Sequence, residues 1–256
     1  MKITKILPIT LICLSISAYA ADNKTPIKTS SIDEAIAQEE RTKQDKDRDL
    51  RSHPEVILKM LDVKKGDVVL DVFAGGGYYS ELISRIVGDH GKVYLYNNKA
   101  YADYASKSLL ERLKRIKFPQ LLVHQHEVNN MNFPENSVDS AMIIMSYHDL
   151  FFDDIKNNWP KIDLKNFMGQ IHTSLKKGGR FLIVDHNAQS GHGSDDTKSL
   201  HRIEKAFAIQ SLENLGFKYI EESKILENPS DDMKKSVFDP SVKGKTNRFV
   251  LLFEKK

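Results

Sequence analysis

Between Val68 and Asp185 the sequence switches again and again between short apolar runs and amphipathic stretches, and no other feature narrows the possible folds as far. Val68-Val69-Leu70-Asp71-Val72 reads as a buried strand, Gly75-Gly76-Gly77 end it, and Leu82, Ile83 and Ile86 mark the inner face of a following helix. Val93 to Tyr96 is a second strand, 102–117 a helix and 121–126 a third strand. Ser140 to Met145 is a fourth, followed by a helix at 162–176, a turn at Gly178-Gly179 and a fifth strand from Arg180 to Asp185. Such alternation predicts a doubly wound, Rossmann-like α/β fold, with a mostly parallel sheet covered by helices on both faces. The ending departs from this rhythm. A helix at 199–215 stops at Gly216, and two extended segments follow, Phe217 to Ile225 and Arg248 to Glu254, with no helix between them. That predicts an antiparallel hairpin at one edge and seven strands in all.

At 256 residues the chain suits one domain. Its start reads differently from the rest. Lys2 and Lys5 precede an apolar stretch from Ile6 to Ile16, and Ala18-Tyr19-Ala20 offers the small residues that signal peptidase accepts. Residues 1–20 are therefore expected to be a signal peptide, too short and too interrupted by Pro8 to span a bilayer, and the protein is expected to be exported to the periplasm. Residues 21–30 form a polar, disordered lead. The domain proper is placed at 31–256, with N-terminal lid helices over 31–61: an exposed or lid-like helix from Ser31 to Arg51, then a helix opened by Pro54 that runs to about Leu61. Cys13 is the only cysteine, so disulfides play no part. The formal charge is only +3, two units of it on Lys2 and Lys5, which argues against a nucleic-acid partner. The basic stretch Lys107 to Lys117 reads as a solvated helix face, with Leu109, Leu110, Leu113 and Ile116 at core spacing.

In open α/β sheets ligands bind beyond the carboxyl ends of the strands. The first such loop, Asp71 to Tyr78, is the most informative: glycines admit a ligand close to the backbone, and the next helix offers free N–H groups. A plain strand-to-helix turn is the alternative. A dinucleotide loop is disfavoured, because Ser80 stands where its last glycine belongs. The loop instead resembles motif I of the class I S-adenosylmethionine-dependent methyltransferases. His126 to Asp139 is similar to that family's segment after the third strand, and Leu175 to Asp185 to its fifth strand. Arg48-Asp49-x-Arg51-x-x-Pro54-Glu55, Ala74 to Tyr79, Tyr147-His148-Asp149, Asp185-His186, Leu200 to Ile203 and Lys245 to Phe249 resemble a bacterial group of methyltransferases, often carrying export signals. The resemblance implies S-adenosylmethionine as cofactor, held by Asp71, Phe73, Ala74, Gly75, Gly77, Asn97 and Glu127, with Glu127 on the adenine amino group. Two positions depart from the pattern. Phe73 replaces the usual first glycine, and Asn97 replaces the acid that binds the ribose hydroxyls, losing a charge-assisted pair.

Methyl transfer is a direct displacement, so a base is needed only where the acceptor carries a proton. Tyr147, His148 and Asp149 follow the fourth strand, and Asp185 and His186 the fifth. His148 or His186 is expected as base, oriented by Asp149 or Asp185; polar loop residues satisfying the backbone are the alternative. His186, His192 and His201 with Asp185 and Asp195 match no tight ligand spacing, and Gln189 to Thr197 reads as a mobile Gly/Ser loop, so no metal is expected. Arg41, Arg48, Asp49 and Arg51 either cap the pocket or pair among themselves. Trp159 and Phe151-Phe152 read as core or pocket wall. The sequence thus points to a methyltransferase acting on a small-molecule acceptor, with a non-catalytic envelope binding module as the alternative. A nucleic-acid methyltransferase is disfavoured by Ser146-Tyr147-His148-Asp149, which lacks the Asn/Asp-Pro-Pro-Tyr type of motif. Oligomeric state is left open.

Overall fold

The computed structural model describes residues 30–256, so the expected signal peptide and all but the last residue of the polar lead lie outside the described residues. Three helices come first: α1 (Ile32–Ile36), α2 (Lys43–Ser52) and α3 (Pro54–Leu61). The segment from Ser31 to Arg51 is therefore two helices rather than one. A capping box starts α1, with Ser31 and Glu34 bonding each other's backbone N–H groups, and Thr42 caps α2 through the N–H of Asp45. Pro54 opens α3 at its first turn, where its missing N–H costs nothing.

The alternating part follows as β1 (Val68–Val72), α4 (Tyr78–Val87), β2 (Lys92–Asn97), α5 (Lys99–Arg115), β3 (Leu121–Gln125), β4 (Val138–Ile144), α6 (Leu164–Ser174) and β5 (Leu175–His186). After it come α7 (Thr197–Leu200), α8 (Lys205–Asn214), β6 (Phe217–Ser223) and β7 (Arg248–Lys255). The seven strands stand in the order β3-β2-β1-β4-β5-β7-β6. All pairs from β3 to β5 are parallel, and β7 runs antiparallel to both β5 and β6. This is the doubly wound sheet with an antiparallel C-terminal hairpin that the hydrophobic pattern predicts. The order reverses between β1 and β4, which opens the crevice where ligands bind in such folds.

Because successive strand residues face opposite sides, each strand feeds two cores. Leu70, Val72, Phe181 and Ile183 pack with Phe167, Met168 and Ile171 of α6 and with Leu212 of α8. Val69, Val93, Leu182 and Val184 pack with Ile57 of α3, Leu82 and Ile83 of α4 and Leu109 of α5.

Four local expectations need correction. Gly178-Gly179 lies within the span of β5, where the pairing jumps from Val138–Leu175 to Ser140–Arg180; the turn chemistry makes a bulge instead of ending an element. The helix expected at 199–215 is broken between α7 and α8, because His201 takes a left-handed backbone with φ 55°. The basic face of α5 is only partly solvated. Arg112 and Arg115 turn inward to Glu81 and Asp45, while Leu110 is 54% exposed despite its apolar character. The segment 189–197 is also pinned: the Gly193 N–H donates to Glu204 Oε2 at 2.9 Å and Thr197 is buried.

Candidate active site

The glycine loop sits at the carboxyl end of β1. Phe73, Gly75 and Gly77 all have positive φ, of 51°, 55° and 76°. The backbone has thus kept the shape that favours glycine at position 73 although a phenylalanine occupies it, a strained choice that packing must sustain. The Phe73 ring stacks on Tyr101 at 4.7 Å and on Phe167 at 5.4 Å, with the Trp159 edge at 5.5 Å. A Cβ on Gly77 would stand 2.7 Å from Leu95 Cδ1, and one on Gly76 would stand 2.6 Å from Ser108 Oγ, so these two glycines let the loop lie tightly on β2 and α5. Gly75 has only Ala105 at 3.9 Å before it, and Ala74, Gly75 and Gly76 are the accessible tip. Asp71 is buried and accepts the Ser80 hydroxyl at 2.6 Å. Burial pushes its carboxyl up to about 6, against the pull of Ser80 and Arg48.

Asn97, at the end of β2, turns back to the loop. Its Oδ1 accepts the Gly75 N–H at 2.9 Å, and its Nδ2 donates to the Gly75 carbonyl at 3.1 Å. An ionised carboxylate only accepts and could not make the second bond, so the departure to an amide has a structural use: it staples the tip of the loop. One residue earlier, the Tyr96 hydroxyl is buried with no hydrogen-bond partner among the described residues. Burial and the nearby Glu127 carboxylate push it above the usual phenol range. Glu127 itself is exposed and lines a cleft of about 290 Å³ with Val128, Asn129 and Pro160.

The ends of β4 and β5 bring together residues far apart in the chain. Asp185, fully buried, accepts three N–H groups: the backbone and Nδ1 of His148, both at 2.8 Å, and the backbone of His186 at 2.7 Å. His148 begins a single 3₁₀ turn, His148–Phe151. Its Nδ1 must carry a proton, because the carboxylate partner only accepts. Nε2 then faces Asp149 Oδ1 at 3.2 Å and His201 Nδ1 at 3.2 Å. Burial works against charge on His148, but Asp185 and Asp149 outweigh it and raise its pKa to about 10. Asp149 is fixed in turn by the Tyr101 hydroxyl, which donates to Oδ2 at 2.5 Å, and its backbone carbonyl accepts Trp159 Nε1 at 2.8 Å. Tyr101 thereby joins the two halves of the crevice, with its ring on Phe73 and its hydroxyl on Asp149.

The other two candidates from these strand ends lie elsewhere. The Tyr147 hydroxyl donates to Ser211 Oγ at 3.0 Å, on the α8 side and away from His148. The His186 ring is 6.1 Å from that of His148, but its Nδ1 bonds Thr246 Oγ1 at 2.7 Å and no carboxylate among the described residues orients it. Burial and the cationic neighbours His148 and Arg248 push its pKa well down. Sequence reasoning missed Tyr101 as part of the crevice, whereas Trp159, read from sequence as core or pocket wall, packs against Phe73 and Tyr101. Tyr101 follows β2 by four residues and carries no motif; only the position of α5's first turn beside the loop could have flagged it.

The N-terminal helices flank the loop through ion pairs. Arg41 makes a bidentate pair with Asp49 at 2.7 and 2.8 Å, and the Tyr78 hydroxyl donates to the same carboxylate at 2.5 Å. Arg112 holds Asp45 of α2 with two bonds, at 2.8 and 2.9 Å, contacts Glu81, and donates from Nε to the Gly76 carbonyl at 2.6 Å. Arg48 lies 4.1 Å over the Tyr78 ring. Arg41, just ahead of α2, thus pairs with Asp49 inside it, and Arg112 ties Asp45 of α2 to the carbonyl of Gly76 in the glycine loop.

A Rossmann-like α/β domain with a glycine loop at β1, an acid at the end of β3 and a polar crevice at the switch point belongs to the nucleotide- and cofactor-binding class. The chain belongs to the methyltransferase domain family, which matches residues 63–239. As a member it is a methyltransferase, and the cofactor implied is S-adenosylmethionine. The ubiquinone/menaquinone biosynthesis C-methyltransferase UbiE of Enterobacter sp. (strain 638) is 23% identical over 186 residues, 71% of this chain and 68% of that protein. A SAM-dependent methyltransferase from Aquifex aeolicus superposes with a TM-score of 0.59 at 20% identity, over 84% of this chain and 96% of its own. The [4+2]-cyclase SpnF superposes with 0.55 at 15% identity, over 86% and 84% of the two chains. The fold is thus shared with proteins of differing chemistry.

The residues present fit the implied cofactor. The loop tip is open at Gly75, Glu127 is exposed beside a cleft, and the buried Tyr96 hydroxyl near Glu127 has no hydrogen-bond partner among the described residues. Two positions depart from the pattern: Phe73 stands in a glycine's place, and both polar atoms of Asn97 are engaged with Gly75.

Proposed function

We propose that this protein methylates a small-molecule acceptor held at the carboxyl ends of β4 and β5, against His148 and Asp149. One observation carries the reading: the chain of contacts Phe73–Tyr101–Asp149–His148–Asp185, which ties the glycine loop to a buried, ordered polar cluster across the crevice. When bound, S-adenosylmethionine supplies an electrophilic methyl group on a sulfonium. The chain's own residues then have three tasks. Asp71, Ala74, Gly75 and Gly77 shape the loop, Glu127 takes the adenine end, and Asn97 keeps the loop tip in place beside the ribose. His148 and Asp149 hold the acceptor's heteroatom, with Asp185 and Tyr101 fixing their orientation. The aromatic wall of Phe73, Tyr101 and Trp159 keeps water away, which strengthens every charge interaction inside. The near-neutral charge favours a small acceptor over nucleic acid.

The test is a screen of phenol, thiol and amine acceptors with radiolabelled cofactor. Transfer that falls at least about 100-fold in Asp149→Asn, with cofactor binding retained, supports the reading. Undiminished transfer in that variant contradicts it. Export to the periplasm belongs to the same proposal and rests on Lys2, Lys5 and Ala18-Tyr19-Ala20. Cell fractionation with N-terminal sequencing checks it, and a mature start at Ala21 is expected.

A further inference from the structure

We infer that His148, Asp149 and His201 form a binding site for a divalent zinc-class ion, with one coordination position left open. The three facing atoms are His148 Nε2, Asp149 Oδ1 and His201 Nδ1. They stand 3.2, 3.2 and 3.7 Å apart. An ion held at ~2.0–2.1 Å in tetrahedral geometry separates its ligand atoms by ~3.3–3.4 Å, so the three already outline one face of such a tetrahedron. Two imidazoles and a carboxylate are the donor set of a catalytic zinc site rather than of a closed structural one.

The surroundings supply what a metal site needs beyond its ligands. Asp185 takes the Nδ1–H of His148 and so commits Nε2 to the cluster, the carboxylate–histidine arrangement that orients metal-bound imidazoles. The Tyr101 hydroxyl holds the second oxygen of Asp149, leaving Oδ1 facing the two histidines. His201 is presented by a backbone in the left-handed region, φ 55°, one residue before the fully buried Arg202. Arg202 locks that segment by donating to the carbonyls of Lys235 and Asn187, at 2.9 and 3.0 Å, and by pairing with Asp231 at 3.0 Å. A strained backbone held by a buried guanidinium beside two converging ligands is the signature of a pre-organised site. The His201 side chain is 26% exposed, so the cluster has a route to solvent.

This ligand set differs from the histidine run considered from sequence. His192 pairs with Asp196 at the surface, and His186 is tied to Thr246, so neither joins it. An ion here would sit at the acceptor end of the crevice, where its open position suits an oxygen or sulfur atom. The inference stands on the cluster's geometry and does not depend on methyl transfer.

The test is titration of the purified protein with Co²⁺, read by the visible absorption that reports a tetrahedral ion, followed by competition with Zn²⁺. The expected result is one ion per chain, displaced by Zn²⁺. His201→Ala and Asp149→Asn should each weaken it by roughly 100-fold, and Asp185→Asn by about 10–100-fold. His192→Ala, which removes a surface histidine–aspartate pair, should leave affinity unchanged. Asp149→Asn preserves shape, so circular dichroism of that variant separates lost binding from lost folding. Folded protein that binds no Co²⁺, or binding that survives both ligand variants or disappears with His192, overturns the site and leaves the methyltransferase reading untouched.

Discussion

Asp71 and Phe73, two residues apart, show how much a single position carries. A carboxyl whose pKa rises from 3.8 to about 6 on folding holds its proton more tightly in the native chain than in the unfolded one. Stability therefore falls as pH rises from about 4 to 6, by up to about 3 kcal/mol, and stays lower above that window. Asp71→Asn keeps an acceptor for Ser80 and removes the charge. Urea melts at several pH values should show it more stable than wild type at pH 7 and indistinguishable near pH 4. At Phe73 the usual order of substitutions should invert. Losing the ring costs about 3–5 kcal/mol in either case, but glycine accepts the φ of 51° and alanine does not. Phe73→Gly should therefore be more stable than Phe73→Ala by about 1 kcal/mol, measured by thermal or chemical denaturation. The sequence marks the position as unusual, because an aromatic stands in a glycine's place. It does not reveal the stack on Tyr101 and Phe167, which depends on α5 and α6 arriving from elsewhere.

Among the elements, the N-terminal helices depend most on one buried carboxylate. Glu81 is fully buried on α4 and neutralised by Arg112, Arg115 and Arg85, and Arg112 carries the link on to Asp45 of α2. The guanidinium groups hold the Glu81 carboxyl down in spite of its burial. Removing one partner from such a network strands the others, at about 3–5 kcal/mol. Glu81→Ala should cost that much and should expose the bond region around Lys43 to Arg51 to trypsin before the rest of the domain unfolds. Limited proteolysis followed by mass spectrometry reads both effects. The strands were legible in the sequence to within about two residues, except that β5 starts five residues before the expected Arg180, since runs such as Val68 to Val72 have no helical alternative. The helices were less so. The charges of α2 and α5 look like solvated faces because nothing local says that Asp45 and Arg112, 67 residues apart, will meet. The break at His201 was equally hidden, because histidine, though enriched among left-handed residues, adopts that backbone too rarely to mark a break.

For the whole molecule, topology was readable and convergence was not. Alternation of strand and helix specifies a parallel sheet, and the missing helix before β7 specifies its antiparallel edge. The switch point between β1 and β4 follows, and with it the side on which ligands bind. Which side chains meet there is a matter of loops: His148 reaches Asp185 across 37 residues and His201 across 53. Spacing along the chain encodes none of this, so His148 and His186 were equal candidates until the fold set one against two carboxylates and the other against Thr246.

The central claim is that this fold serves S-adenosylmethionine, and direct calorimetric titration of the purified protein with S-adenosylmethionine and S-adenosylhomocysteine tests it most directly. Binding of one molecule per chain with micromolar affinity, ~−8 kcal/mol, is predicted, and it should be abolished by Gly75→Trp at the loop tip. A folded protein that takes up neither compound, or one whose affinity is untouched by that substitution, would contradict the account.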